Sequence, residues 1–264
     1  MRLRIDLAYD GGDFHGWAVQ PGLRTVQGDL EAALATVLRV PAVSTVCAGR
    51  TDTGVHARDQ VVHLDVKSVP DSELRLLGRR LNGVLGADVR VRRVAVAAAG
   101  FDARFSPLWR RYAYRICDGV PDPLNRGQVL TWPRPLDVEL MNDAGAHLLG
   151  LHDFAAFCKQ REGATTRRTL LDLAWVRAGD VVTGTVRADA FCHHMVRSLV
   201  GALVAVGEGR RPVAWPGEVL AAAVRDPAVT VVPPHGLTLE EVAYPPDDEL
   251  SGRADVARAR RGPP

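Results

Sequence analysis

The chain has 264 residues, 47% hydrophobic and 24% charged, with a formal net charge of +2; this is the composition of a globular protein with room for one large domain or two modest ones. No apolar run approaches the ~18 residues of a bilayer span, and Met1–Tyr9 lacks a signal-peptide hydrophobic segment, so a cytoplasmic protein is expected. Cys47, Cys117, Cys158 and Cys192 form no C-x-x-C pair, which favours reduced thiols over a disulfide framework or a zinc site.

From the N-terminus, Leu3, Ile5, Leu7 and Tyr9 alternate with Arg4, Asp6 and Ala8, predicting a half-buried strand before a Gly11-Gly12 turn. Thr25 caps a helix whose apolar side is Val26, Leu30, Leu34 and Val37. Gln60–Val66 alternates again, with Val62, Leu64 and Val66 inward and His63 and Asp65 outward. Asp71–Leu85 predicts a second helix that buries Leu74, Leu77 and Leu81 and exposes Arg75, Arg79 and Arg80. Val89–Val96 returns as a strand. The second half repeats this mixture: a strand at Arg111–Ile116, a helix at Val138–Leu149, and strands Leu170–Arg177 and Val181–Ala188 around a Gly179-Asp180 turn. A last helix runs from His193 to Val206 and stops near Gly207. The expected class is α+β, two halves with mainly antiparallel sheets around a central cleft. The halves are placed at 1–106 and 107–246. Beyond Tyr244 the chain reads Pro-Pro-Asp-Asp-Glu and then turns arginine-rich, and residues 247–264 are expected to form a disordered tail.

Familiar cofactor machinery is missing from the sequence. There is no G-x-x-x-x-G-K-[ST] loop, no G-x-G-x-x-G after a strand, no H-E-x-x-H and no G-x-S-x-G. His193 and His194, adjacent on a helix, point apart and do not chelate one metal together. Chemistry is left to side chains, with no cofactor and no metal expected. The densest group of functional side chains is Gly49-Arg50-Thr51-Asp52-Thr53-Gly54-Val55-His56-Ala57. Its glycines suit a tight loop, and an arginine near Asp52 keeps a nucleophilic carboxylate ionised; the same residue types also make an ordinary turn. Tyr112 alternates with Tyr114 and Ile116, so periodicity alone assigns it to the core. Arg197, among Met195, Val196 and Leu199, asks for a carboxylate partner. Cys158 and Cys192 read as small core residues, and His56 and His63 as structural histidines.

The Gly-Arg-Thr-Asp-Thr-Gly-Val-His-Ala segment, followed by Gln60-Val61-Val62-His63, closely resembles the signature of the tRNA pseudouridine synthase A (TruA) family. Tyr9-Asp10-Gly11, Phe14-His15-Gly16-Trp17, Thr25-Val26-Gln27-Gly28, Phe101–Ser106, Arg110–Tyr114, His152-Asp153-Phe154, Phe191–Arg197 and His235-Gly236-Leu237 match in the family's order. The likeness spans about residues 3 to 244. It implies a pseudouridine synthase fold and isomerisation of uridines 38, 39 and 40 in the anticodon stem-loop of tRNA. It also implies a homodimer whose tRNA site uses both subunits. Carried over residue by residue, it makes Asp52 the catalytic aspartate, sets Tyr112 against the target base and Arg197 beside the aspartate, and has Arg50 splay or replace the flipped base. Arg110, Arg111 and Leu237 are expected to join Tyr112 in substrate binding, the two arginines on their pattern alone. Thr53, Ser198 and Arg58-Asp59 depart from the family's usual alanine, asparagine and small residues.

Making pseudouridine breaks C1′–N1, turns the uracil and joins C5 to C1′, with only a proton lost from C5. A carboxylate has three routes: attack at C1′, attack at C6, or removal of the C2′ proton. A single aspartate in a dry pocket suits isomerisation better than hydrolysis, for which glycosidases pair two carboxylates. Arg75, Arg79, Arg80, Arg110 and Arg111 are candidates for holding backbone phosphates.

Overall fold

Alternation of apolar and charged residues makes Arg2–Tyr9 the strand β1, with Leu3, Ile5 and Leu7 fully buried. Thr25 Oγ1 accepts the Gly28 N–H and starts helix α1 (Val26–Leu38), which buries Val26, Leu30 and Leu34. The two-residue strand β2 (Val46–Cys47) and strand β3 (His56–Asp65) follow, then helix α2 (Asp71–Val84) and strand β4 (Val89–Val96). β1 lies between β3 and β4, antiparallel to both, with Ile5 opposite Val62 on one side and Val94 on the other. β2 pairs with β3. α2 packs on β4 through Leu77 and Leu81.

The structure, a computed structural model, describes residues 1–159 and 165–259. They form an α+β chain of two units: Met1–Leu108 together with the chain from Leu239 onward, and Trp109–Thr238. In the second unit β5 (Trp109–Cys117) is flanked by the short parallel β6 (Leu130–Thr131), and helix α3 (Val138–Ala146) precedes β7 (Gly150–Asp153). β8 (Arg167–Ala178) and β9 (Val181–Ala188) complete an antiparallel order β5-β9-β8-β7. Asn142 of α3 grips the backbone of Trp175 in both directions, accepting at 2.7 Å and donating at 3.0 Å. Helices α4 (Met195–Gly207) and α5 (Trp215–Ala222) follow, α4 buried along almost its whole length. Strand β10 (Leu237–Ala243) returns the chain to the first unit, where helix α6 (Leu250–Ala259) ends the described residues. Among those residues no helix is long and apolar enough to cross a membrane.

The first unit runs to Leu108 and regains the chain at Leu239. Several expectations are corrected. The tail is not disordered over Leu250–Ala259. Leu250, Ala254 and Ala257 bury one stripe of α6, Ser106 Oγ donates to the Leu250 carbonyl, and Arg258 pairs with Asp102 at 2.9 Å. That stripe is mostly alanine and carries little hydrophobic signal; Arg260 and Arg261 lie outside the described residues. His63 is 5% exposed rather than outward-facing, because its Nδ1 accepts the Ala103 N–H at 2.9 Å. Cys158 and Cys192 are bonded to one another, Cα atoms 5.8 Å apart, while Cys47 and Cys117 take no part in a disulfide. Pairing across 34 residues is a matter of spatial approach that spacing does not reveal.

Candidate active site

In the first unit the Gly49–Val55 loop leads into β3 and is fastened from several sides. Trp17 N–H donates to the Thr51 carbonyl at 3.0 Å, and Gly54 N–H donates to the Phe14 carbonyl at 3.3 Å. The Tyr9 hydroxyl meets Thr51 Oγ1 at 2.8 Å. Gln60, fully buried, donates from Nε2 to the Gly49 carbonyl and to the Tyr9 oxygen. Phe14 and Trp17 are buried beneath this contact.

Two glycines permit the approach. Gly16 sits at φ +89°, and a Cβ there would lie 3.0 Å from the Thr51 carbonyl oxygen, a conformation that favours glycine. A Cβ on Gly11 would overlap the Val55 carbonyl. Gly11 N–H donates to His56 Nδ1, with Asp10 Oδ1 2.9 Å from the same nitrogen, so His56 joins the two segments as a structural residue. Within the loop Thr51 is buried, Asp52 half-buried, and Arg50 and Thr53 exposed. The Asp52 carbonyl accepts the Val55 N–H at 3.1 Å. The scaffold therefore sets the backbone of Asp52 while its side chain keeps access to solvent.

The second unit arranges the remaining expected residues. Tyr112, 7% exposed on β5, meets the Phe191 ring edge-to-face with centroids 5.1 Å apart. Two positions on, burial raises the Tyr114 phenol well above its ordinary pKa, Arg197 opposing the shift, and its hydroxyl donates to the Pro233 carbonyl at 2.7 Å. Arg197, half-buried on α4, donates from Nε to the Val232 carbonyl at 2.7 Å and accepts the Val232 N–H on its own carbonyl at 3.3 Å. The helix and the 229–236 segment thus fix the direction of the guanidinium together. Gly236 packs on the Tyr114 ring and accepts the Arg115 N–H; Leu237, 5% exposed, donates its N–H to the Pro234 carbonyl. Arg110 is buried and donates to the Asp189 carbonyl at 2.7 Å, whereas Arg111 is half-exposed.

The histidine pair differs from expectation. α4 begins at Met195, His194 is a left-handed cap at φ +69°, and the two imidazole centroids lie 4.0 Å apart. They are side by side and do not diverge along a helix. The Ser198 hydroxyl is buried with no hydrogen-bond partner among the described residues, so serine here makes no bond in place of the family's asparagine. The fastenings contributed by Phe14, Gly16 and Trp17 carried no chemical signal in the sequence apart from their place in the family resemblance.

Residues 144–245 match a family model described as tRNA pseudouridine synthase. A Frankia casuarinae protein named tRNA pseudouridine synthase A is 61% identical, covering 100% of this chain and 97% of its own length. The Streptomyces griseus protein of that name is 61% identical over 98% of this chain and 93% of its own length. The chain belongs to the tRNA pseudouridine synthase A family. The Mycobacterium leprae member is 51% identical, over 99% of this chain and 96% of its own length. A chain from a Cbf5-Nop10-Gar1 complex superposes loosely, at 12% identity and TM-score 0.33, covering 77% of this chain and 54% of that one. Members of the family are isomerases that act on tRNA.

Proposed function

We propose that the chain isomerises uridine to pseudouridine at positions 38, 39 and 40 of the tRNA anticodon stem-loop, with Asp52 as the group that acts on the target nucleotide. The observation that carries this reading is the Asp52 loop: buried fastenings at Tyr9, Phe14, Trp17 and Gln60 hold its backbone, and the carboxylate remains half-exposed. Such preorganisation of one charged group is what a reaction needing no redox agent and no activated water requires.

In this reading the target base is extruded at a cost of a few kcal/mol. Arg50 fills the space it leaves, the Tyr112 ring stacks on it, and Arg197 serves as the ionic partner of Asp52. Leu237 contributes apolar contact, Arg111 holds a phosphate, and Arg110 positions the 188–190 turn through Asp189. A homodimer in the cytoplasm, with each tRNA touching both subunits and no cofactor, completes the proposal.

The test is tritium release from tRNA carrying 5-tritiated uridine, with the modified positions mapped. Release confined to positions 38–40, undiminished by excess EDTA with magnesium controlled separately for tRNA folding, is expected. Free uracil in the product would make the protein a hydrolase. A zinc requirement restored on re-addition would move the chemistry to His193 and His194.

A further inference from the structure

α2 and β4 enclose a groove in the first unit. Leu74, Arg75, Gly78, Arg79, Asn82 and Gly83 recur along one flank of the helix, and Val91–Val94 forms the facing wall, around a cavity of about 710 Å³. Asn82 fixes the two walls, donating to the Val91 carbonyl and accepting its N–H, both at 2.8 Å. The Gly78 site touches only the ends of Val91 and Val94, and around Gly83 there is open space, so this flank of the helix is cut low.

The charges on the rim are of one sign. Arg75, Arg79, Arg92 and Arg93 are exposed, and among the described residues none of the four is held in an ion pair. Their neighbours are committed elsewhere. Arg80 pairs with Glu73 at 3.5 Å, and Arg90 donates to the Gly86 and Val89 carbonyls. The charge of Arg92 reaches Asp59 without contact. Charges on a strand at the margin of a sheet also discourage edge-to-edge pairing, but that purpose does not require arginines on the facing helix or an open floor between them. Four unpaired guanidiniums around a concave surface match an array of phosphates.

We propose that this groove binds the phosphodiester backbone of the RNA substrate at a point remote from the target nucleotide. The proposal rests on the isomerase reading above and deepens it. Arg93 stands opposite Asp6, which stands opposite Val61. Val61 is five residues beyond the start of β3, two strands from the groove, which places the arginines about 20 Å from the Asp52 end of that strand at ordinary strand rise and spacing. RNA held there is engaged several base pairs from the extruded base. The groove contributes affinity and register, and sequence plays no part in it.

The quadruple variant Arg75→Ala/Arg79→Ala/Arg92→Ala/Arg93→Ala tests this, with full-length tRNA and an isolated anticodon stem-loop as probes in salt titrations. All four side chains are exposed, and an unchanged circular dichroism melt checks folding. For full-length tRNA the slope of log affinity on log salt should fall by roughly two to three, with Kd raised at least about tenfold near 0.1 M salt and the kinetic loss falling on KM. The stem-loop's affinity should change by less than about twofold. A matching quadruple lysine variant should keep most of the slope, since point charges suffice for phosphate. An unchanged slope for full-length tRNA would overturn the proposal. So would an equal loss for the stem-loop, which would put the contacts within the anticodon arm. Binding is read without catalysis, so a failure of the isomerase reading, no tritium release from the unaltered protein, remains a separate result.

Discussion

Replacing Asp52 by asparagine keeps the size of the side chain and removes its charge and nucleophilic oxygen. Thr51 and the Phe14–Trp17 loop hold the backbone without the carboxylate, so the fold should survive. Pseudouridine formation should drop below detection while tRNA affinity changes by less than about tenfold, or ~1.4 kcal/mol. Tritium release from Asp52→Asn at a tenth of the normal rate would sink the assignment. His63 gives a second expectation. Burial, with Arg2 adding to it, lowers its pKa below 6.5, and its Nδ1 must stay unprotonated to accept the Ala103 N–H. A group with its folded pKa depressed contributes stability that is present above the unfolded value and is lost as pH falls towards the folded one. Urea midpoints should therefore decline below pH 6.5, and His63→Gln should flatten that limb. A variant with the same acid profile would refute this role for His63.

At the scale of single elements, α6 reverses the consequence of removing the C-terminal segment. Truncation after Tyr244 strips Leu250, whose burial alone is worth roughly 2 kcal/mol, and removes the Arg258 partner of Asp102. The urea midpoint should fall, with faster amide exchange around Phe101–Ser106; an unchanged midpoint would mean that α6 contributes nothing. What the sequence disclosed divides along physical lines. β4 and β9 lie where alternation set them, and α1 starts at its Thr25 cap, because period and capping are local properties. α5 was missed because its Trp-Pro-Gly-Glu start reads as a turn, and α6 because its buried stripe is short and mostly alanine. The Asp52 motif was visible as a cluster of residue types, but the Gly16 and Gly11 approaches are long-range, and residue types alone do not encode them. His63 was misplaced because alternation assumes one wet face, and β3 is covered on both.

For the whole molecule, the Cys158–Cys192 bond closes a loop of 34 residues within the second unit. Intact-mass measurement under alkylating, non-reducing conditions should find two alkylated thiols, Cys47 and Cys117, and four after reduction. On a chain-entropy estimate Cys192→Ala should cost up to about 4 kcal/mol. Four alkylated thiols without reductant would return the pair to the reduced state.

The order of the chain through the two units has a bearing on biosynthesis. The second unit is continuous from Trp109 to Thr238, whereas the first is assembled from residues on either side of it. During translation Met1–Leu108 emerges first, yet it waits for α6 to cover Gly100, Asp102 and Ser106. At ~5–20 residues per second, the 130 residues of the second unit separate the two parts by roughly 7 to 26 seconds. The unit that carries Asp52 is therefore begun before the other unit and finished after it.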